Sequence, residues 1–181
     1  MYAPLLTLVF AVVASAGSLY LSLGVGLKAC PLCFYQRTFA FALVAVTAVG
    51  LAAFGKDAGK VNLITLPLVV GGLGVAGFHT WLVMSGKLAC PNGVAGLGPA
   101  PVQSLVAFTL ILLPVLYGVF VESPAECLKP LPLLVGVAVG AAAVYGSTTP
   151  GLSPGANPPP QQQAEGETLD TCKKPYVPPT P

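Results

Sequence analysis

Long apolar runs dominate this sequence and decide what it can fold into. Four of them span about 20 residues each, and a fifth is shorter and more weakly hydrophobic. Helices of that length cross a bilayer, where only helices or closed barrels satisfy their own backbone hydrogen bonds. We therefore predict an all-α membrane protein, a four-helix transmembrane bundle with a fifth C-terminal span. The predicted spans are residues 3–25, 34–54, 62–84, 102–121 and 131–147.

The scarcity of charge supports this fold class. Only 8% of the residues are charged, whereas a soluble domain carries about 25%. The net charge of +2 comes without a basic cluster, so we expect no nucleic-acid partner. The first run, "APLLTLVFAVVASAG", lacks a basic leader and continues beyond the length of a signal-peptide core. We expect it to be retained as a transmembrane span.

The composition changes abruptly near the C-terminus. The segment "TTPGLSPGANPPPQQQAEGETLDTCKKPYVPPTP" is polar and rich in proline, so it cannot bury enough apolar surface to fold alone. We predict a membrane bundle over residues 1–146 and a flexible, disordered extracytoplasmic tail over 147–181.

The stretch "CPLCFYQR", at the start of the second span, carries the clearest chemical signal. A C-x-x-C pair such as Cys30 and Cys33 is a redox pair, half of a zinc site, or a structural feature. Zinc needs about four ligands, and the chain offers one histidine, His79, and no second C-x-x-C. We therefore expect no metal site and favour redox chemistry.

The local geometry favours a reactive thiol. Pro31 disfavours a helix before it, so the second helix is expected to begin near Leu32 or Cys33. A thiol in the first turn lies near free N–H groups and the positive end of the helix dipole, which favour the thiolate. Arg37 follows Cys33 at i+4, on the same helix face. An arginine in a membrane helix either extends to the interface or holds a ligand, here an anionic or carbonyl-bearing one.

The stretch "CPLCFYQR" resembles the C-x-L-C-x-x-[EQ]-R signature of the DsbB family. In the third span, "GVAGFHTWL" is similar to that family's small-residue run followed by a basic residue and a tryptophan. The resemblance covers about residues 1–121. Members of this family are thiol oxidases of the bacterial cytoplasmic membrane that generate disulfides for a periplasmic, DsbA-like thioredoxin-fold partner.

The resemblance implies roles for five residues. Cys30 and Cys33 would form a disulfide that exchanges electrons with a membrane quinone, either ubiquinone or menaquinone. Cys33 would contact the quinone as a thiolate, and Arg37 would stabilise the ring oxygen as it gains negative charge. His79 either lines the same pocket or packs between helices. Gln36 occupies the family's acidic-or-amide position, in a secondary role, and the cysteines would face the periplasm.

The family generally has two more cysteines between spans three and four, but this sequence has only Cys90 there. If Cys30 and Cys33 face outward, the alternation of spans puts Cys90 outside and Cys127 inside. A fifth span would return Cys172 to the outside. We therefore expect a Cys90–Cys172 pair, with Cys90–Cys127 as the less favoured alternative.

Two other functions remain open on the sequence alone. The same C-x-x-C device serves membrane thiol reductases, in which electrons flow in the opposite direction. The cysteines could instead form structural disulfides that hold the loops of a non-enzymatic membrane scaffold.

Overall fold

The fold is an all-helical bundle, and the computed structural model describes residues 2–26, 29–55, 58–88, 90–122 and 130–148 of the chain. Two of its five long helices, the first and the fourth, continue into a π-helical turn, Tyr20–Gly24 and Gly118–Glu122 respectively. The five helices are Ala3–Leu19 (α1), Pro31–Phe54 (α2), Ala58–Met84 (α3), Ala100–Tyr117 (α4) and Pro130–Thr148 (α5).

Four stretches are long and apolar enough to cross a membrane, and α5 contributes a shorter apolar segment, Pro132–Gly146. The prediction of four spans and a shorter fifth helix is confirmed. The long stretches are Ala3–Gly24, Pro31–Phe54, Gly59–Met84 and Ala100–Val121.

The helix starts differ from the sequence prediction. The second helix begins at Pro31, with Cys30 as its N-cap, and not at Leu32 or Cys33. Proline suits the first helical position because its missing N–H would have no partner there and its φ is already helical. Hydropathy alone does not include this preference, so the predicted second span, 34–54, starts too late.

Helix α3 lies at the centre of the bundle. Half of its membrane-length window is buried, compared with 17% for the first stretch. It packs against α2, α4 and α5, whereas α1 packs mainly against α2 and α4. The residues that α3 shares with its neighbours in the core include Leu43, Leu66, Val69, Val75, Phe108 and Ile111.

Helix α5 runs parallel to α3 at close range. A Cβ added at Gly136 would lie 2.9 Å from the Pro67 carbonyl oxygen, and one at Gly140 would lie 3.2 Å from Gly71. Both contacts advance by four residues in the same direction, so the two helices are parallel. A Cβ at Gly146 would lie 3.1 Å from the Tyr35 hydroxyl, near the start of α2. The close approach depends on glycine, as in membrane helix pairs generally.

Two connections and the end of α5 meet at one end of the bundle, which we call the cysteine end because it holds Cys30, Cys33 and Cys90. The chain passes from α1 to α2 there, and from α3 to α4. Since α5 is parallel to α3, its last residues lie at this end as well. Cys127, Cys172 and residues 149–181 lie outside the described residues.

A compact loop between α3 and α4 covers the cysteine end. Its two arms are joined by hydrogen bonds from the Gly93 N–H to the Gly98 carbonyl (2.8 Å) and from the Ala100 N–H to the Pro91 carbonyl (3.1 Å). The Gln103 carboxamide then binds both backbone groups of Val94, accepting from its N–H at 2.8 Å and donating to its carbonyl at 3.0 Å. Gln103 thereby fixes the loop that follows Cys90 onto α4.

Replacing Gln103 with leucine should loosen this loop while keeping the side chain's approximate length. The two lost hydrogen bonds contribute about 1 kcal/mol each, so loop opening should become about 30-fold more frequent. We expect faster alkylation of the half-buried Cys90 thiol by a maleimide in the reduced, detergent-solubilised protein.

Thr109→Val is the matched control on the same helix. The Thr109 side chain is exposed and its hydroxyl bonds the Leu105 carbonyl within α4, so alkylation should keep its normal rate. An unchanged rate in Gln103→Leu would show that Gln103 does not hold the loop.

Candidate functional site

The start of α2 positions the C-x-x-C pair. Cys30 is extended (φ −70°, ψ 165°) and its sulfur accepts a hydrogen bond from the Cys33 backbone N–H at 3.2 Å. The Cys30 sulfur, as the N-cap, therefore accepts a hydrogen bond from one of the free N–H groups of the first turn. The two sulfurs lie 2.8 Å apart. Cys30 is buried, at 4% exposure, whereas Cys33 is half-buried.

His79 connects the C-x-x-C pair to the third cysteine. The imidazole is completely buried, with Nε2 lying 3.8 Å from the Cys30 sulfur and 3.3 Å from the Cys90 sulfur. On its other side, Nδ1 lies 3.2 Å from the carboxamide nitrogen of Gln36, which is itself buried. Gln36 fixes the ring orientation, so one nitrogen of His79 faces both sulfurs.

Arg37 is held by neutral oxygen atoms of the first helix and its π-helical turn. Its Nε donates to the Ser18 hydroxyl at 2.9 Å and Nη2 donates to the Ser18 carbonyl at 3.1 Å. Nη2 also donates to the Ser22 hydroxyl. Between residues 1 and 121 the sequence contains one acidic residue, Asp57, which comes between α2 and α3 in the sequence. These hydrogen bonds orient the guanidinium without neutralising its positive charge.

A cavity of about 320 Å³ lies between α1, α2, α4 and the loop after Cys90. Its volume falls within the range of small-molecule sites, roughly 300–1,000 Å³. Cys33, Gln36, Arg37 and Cys90 supply the main reactive or polar groups of the wall. The apolar part of the wall includes Val13, Leu21, Pro91, Val94, Ala107 and Phe108.

The structure brings together most of the residues that the sequence singled out. Cys30, Cys33 and Gln36 lie within contact of His79 or of one another, as does Cys90. His79 itself faces the sulfurs and is not one of the residues that line the cavity.

Sequence reasoning missed the two serines that hold Arg37. Ser18 and Ser22 are four residues apart, hence on one helix face, in an otherwise apolar segment facing the second span. That spacing was the available signal. The contact between Cys90 and His79 left no comparable signal, because it depends on how the loop folds back.

Comparison with known proteins identifies the family. The family model described as "Disulfide bond formation protein DsbB" matches residues 2–150. A "Probable disulfide formation protein" of Chlamydia trachomatis is 31% identical over 120 residues, covering 61% of this chain and 87% of the relative. A protein of the same description from Deinococcus radiodurans is 37% identical over 123 residues, covering 56% and 78%.

A third relative, the "Disulfide bond formation protein B" of Ralstonia nicotianae, is 32% identical over 126 residues, covering 67% of this chain and 70% of the relative. No solved structure matches the chain. The family match extends over most of the sequence and includes the whole cysteine end. The chain belongs to the DsbB family of disulfide bond formation proteins.

Proposed function

We propose that this protein is a thiol oxidase that reoxidises a periplasmic, DsbA-like thioredoxin-fold protein and passes the electrons to a membrane quinone. The observation that carries the proposal is the shared wall of one cavity, which Cys33 and Arg37 both line. The overall reaction converts a partner dithiol and a quinone into a partner disulfide and a quinol. The quinone supplies the oxidising power by accepting two electrons and two protons.

The cavity fits a quinone headgroup by size and chemistry. Its wall is mostly apolar, as a lipid-soluble ring requires, with few polar groups to orient it. Arg37 carries a positive charge that Ser18 and Ser22 orient but do not neutralise. A fixed cation at the wall favours a ring oxygen that gains negative charge, and such electrostatic stabilisation is strong where water is excluded. Ubiquinone and menaquinone both satisfy these requirements.

The two cysteines at the start of α2 have different roles in the proposal because they differ in exposure. Cys33 lines the cavity, so we assign it the contact with the quinone. Cys30 is buried against His79, so we assign it the exchange with the loop cysteine. As Cys33 gives up its electrons, the Cys30 sulfur closes the Cys30–Cys33 disulfide, and both thiol protons leave with the quinol.

The second disulfide in the proposal joins Cys90 to Cys172. A partner thiolate attacks this disulfide, and the partner leaves as a disulfide after a second exchange, which reduces Cys90 and Cys172. The Cys90 thiolate then attacks the Cys30 sulfur and releases Cys33 as a thiolate. Cys172 attacks Cys90 in turn, which restores the Cys90–Cys172 disulfide and leaves Cys30 and Cys33 reduced.

His79 and Gln36 support the exchange between Cys30 and Cys90. Both sulfurs contact the same imidazole nitrogen, so a proton or a hydrogen bond can be offered to whichever sulfur is the thiolate. Gln36 holds the other nitrogen and also lines the cavity. We therefore assign His79 a role in the thiol exchange. Gln36 would hold the imidazole ring in position beside the quinone site.

The direction of the helices supports Cys172 as the partner of Cys90. Because α5 is parallel to α3, the chain beyond Thr148 starts from the cysteine end. A flexible chain of about 25 residues has an r.m.s. extent of roughly 25–30 Å, comparable with the width of a small bundle of helices about 10 Å across. We further propose that this end faces the periplasm and that the bundle lies in the bacterial inner membrane.

Activity of the purified protein tests the proposed reaction. With a reduced thioredoxin-fold dithiol protein and a short-chain ubiquinone or menaquinone, quinone absorbance should fall as partner thiols disappear. Cys33→Ser should abolish turnover, and Arg37→Leu should lower kcat about 10²- to 10³-fold, as for other lost electrostatic stabilisers. Arg37→Lys should fall between, since it keeps the charge and loses the fork of donors.

Thr38→Val is the control beside Arg37, because the Thr38 side chain is exposed and its hydroxyl bonds the Phe34 carbonyl of the same helix. It should keep normal kcat and KM. Two results would refute the proposed direction: no quinone reduction by the parent protein, or quinol-driven reduction of an oxidised partner as the only activity.

The disulfide partner of Cys90 can be identified by peptide mass spectrometry of the unreduced protein. We expect a Cys90–Cys172 cross-linked peptide, which disappears in Cys172→Ser and persists in Cys127→Ser. In intact cells, a membrane-impermeant maleimide should label Cys172 after reduction and leave Cys127 unlabelled. Labelling of Cys127 alone, or a Cys90–Cys127 peptide, would contradict this pairing.

A further inference from the structure

Four side chains of the type that bind zinc converge at the cysteine end. The donor atoms of Cys30, Cys33 and His79 all lie within 4.8 Å of one another. The Cys90 sulfur adds a fourth donor, 3.3 Å from Nε2 of His79. Counting ligands along the sequence argued against a metal, because the chain has one histidine and one C-x-x-C. The fold changes that argument by bringing a distant thiol to the same imidazole.

The distances from the imidazole nitrogen to two of the sulfurs suit a tetrahedral ion, and the other donors must rearrange around it. With Zn–S bonds of about 2.3 Å and Zn–N bonds of about 2.0–2.1 Å, tetrahedral donors stand roughly 3.4–3.8 Å apart. The imidazole nitrogen lies 3.8 Å and 3.3 Å from the sulfurs of Cys30 and Cys90. The Cys30 and Cys33 sulfurs, at 2.8 Å, need to separate by about 1 Å, which a rotation of the half-buried Cys33 side chain can supply.

The surroundings of the histidine also resemble those of a metal ligand. Histidine ligands almost always use their second ring nitrogen to bond an oxygen acceptor, which fixes the ring. The Gln36 carboxamide occupies that position at Nδ1, and its oxygen can face the ring as readily as its nitrogen. Nε2 is thereby directed at the sulfurs. Cys33 and Cys90 also line the cavity.

We propose that the reduced protein binds one Zn²⁺ or a similar thiophilic ion, with Cys30, Cys33, Cys90 and His79 as ligands. Each cysteine releases its thiol proton to solvent on binding, and no electrons are transferred. Three thiolates and Zn²⁺ leave one net negative charge, which Arg37, one helical turn from Cys33, partly balances. The ion occupies the sulfurs that must form a disulfide, so it holds the protein reduced and blocks its oxidation.

Zinc binding at this site requires reduced thiols and no quinone. Its test therefore does not depend on whether the proposed oxidase reaction occurs. Oxidation to the Cys30–Cys33 disulfide removes two ligands and should release the ion. Zinc binding would thus be specific to one redox state.

The test uses the full-length protein in detergent, reduced with a phosphine and titrated with Co²⁺ and then Zn²⁺. We expect one Co²⁺ per chain, with thiolate-to-cobalt charge-transfer absorption and the intense visible bands of a tetrahedral site, both lost when Zn²⁺ is added. The diamide-oxidised protein should bind neither ion. Competition with a chromogenic chelator gives the Zn²⁺ affinity.

Matched variants assign the ligands. Cys127→Ser/Cys172→Ser keeps all four proposed ligands and should bind like the parent protein. Cys33→Ser, Cys90→Ser and His79→Gln should each weaken Zn²⁺ binding by more than the 10- to 100-fold typical of losing an outer partner. Normal far-ultraviolet circular dichroism and a normal elution volume confirm that each variant is folded.

Several outcomes would overturn the proposal. These are absence of saturable binding by the reduced parent, equal binding by the oxidised protein, loss of binding in the Cys127/Cys172 double variant, and parental affinity in any folded variant of the four ligands. An octahedral, weakly coloured cobalt spectrum would also exclude a thiolate site.

Discussion

The position at which α2 begins determines the arrangement of the whole site. Pro31 occupies the first helical position, so Cys30 becomes the N-cap and Cys33 falls in the first turn. The Cys30 sulfur takes one of the N–H groups that a helix start leaves without an intrahelical partner. If the helix began a turn earlier or later, Cys30 would lose the N-cap position and its sulfur would no longer accept this hydrogen bond. Pro31 thus sets where the helix begins and, with it, the position of the Cys30 sulfur.

The apolar bundle gives unusual weight to its few polar groups. Arg37 would be costly inside a bilayer without partners, and Ser18 and Ser22 supply them without adding negative charge. His79 is buried completely, yet each ring nitrogen has a polar neighbour. The bundle therefore presents a fixed cation on one side of the C-x-x-C pair and an oriented imidazole on the other. This asymmetry gives Cys33 and Cys30 different environments although they are three residues apart.

The helical part of the fold was largely readable from the sequence because four of its apolar runs are long enough to cross a bilayer and carry almost no charge. The C-x-x-C motif and the i, i+4 relation of Cys33 to Arg37 were also readable, since both depend on local geometry. The exact start of α2 was wrong because hydropathy does not register the preference of proline for a first helical position. Gln36 appeared secondary in the sequence, but it is buried and orients the histidine.

The contacts that sequence reasoning could not supply are all long-range. His79 meets Gln36 and Cys30 from 43 and 49 residues away, so the contacts depend on the rotation of α3 relative to α2. Cys90 reaches His79 because a loop closed by backbone hydrogen bonds and by Gln103 folds back over the bundle. Periodicity identifies which face of a helix is apolar, but it does not determine which neighbouring side chains that face will meet.

The most direct test of the central claim isolates the pair at the start of α2. A variant with Cys90, Cys127 and Cys172 replaced by serine retains only Cys30 and Cys33, and it is reduced and mixed anaerobically with one equivalent of a short-chain quinone. Our account predicts one quinol formed per protein molecule, the loss of two thiols, and a Cys30–Cys33 disulfide in the peptide map. If the quinone stays oxidised while both thiols remain open to alkylation, this pair does not deliver electrons to the cavity and the account is contradicted.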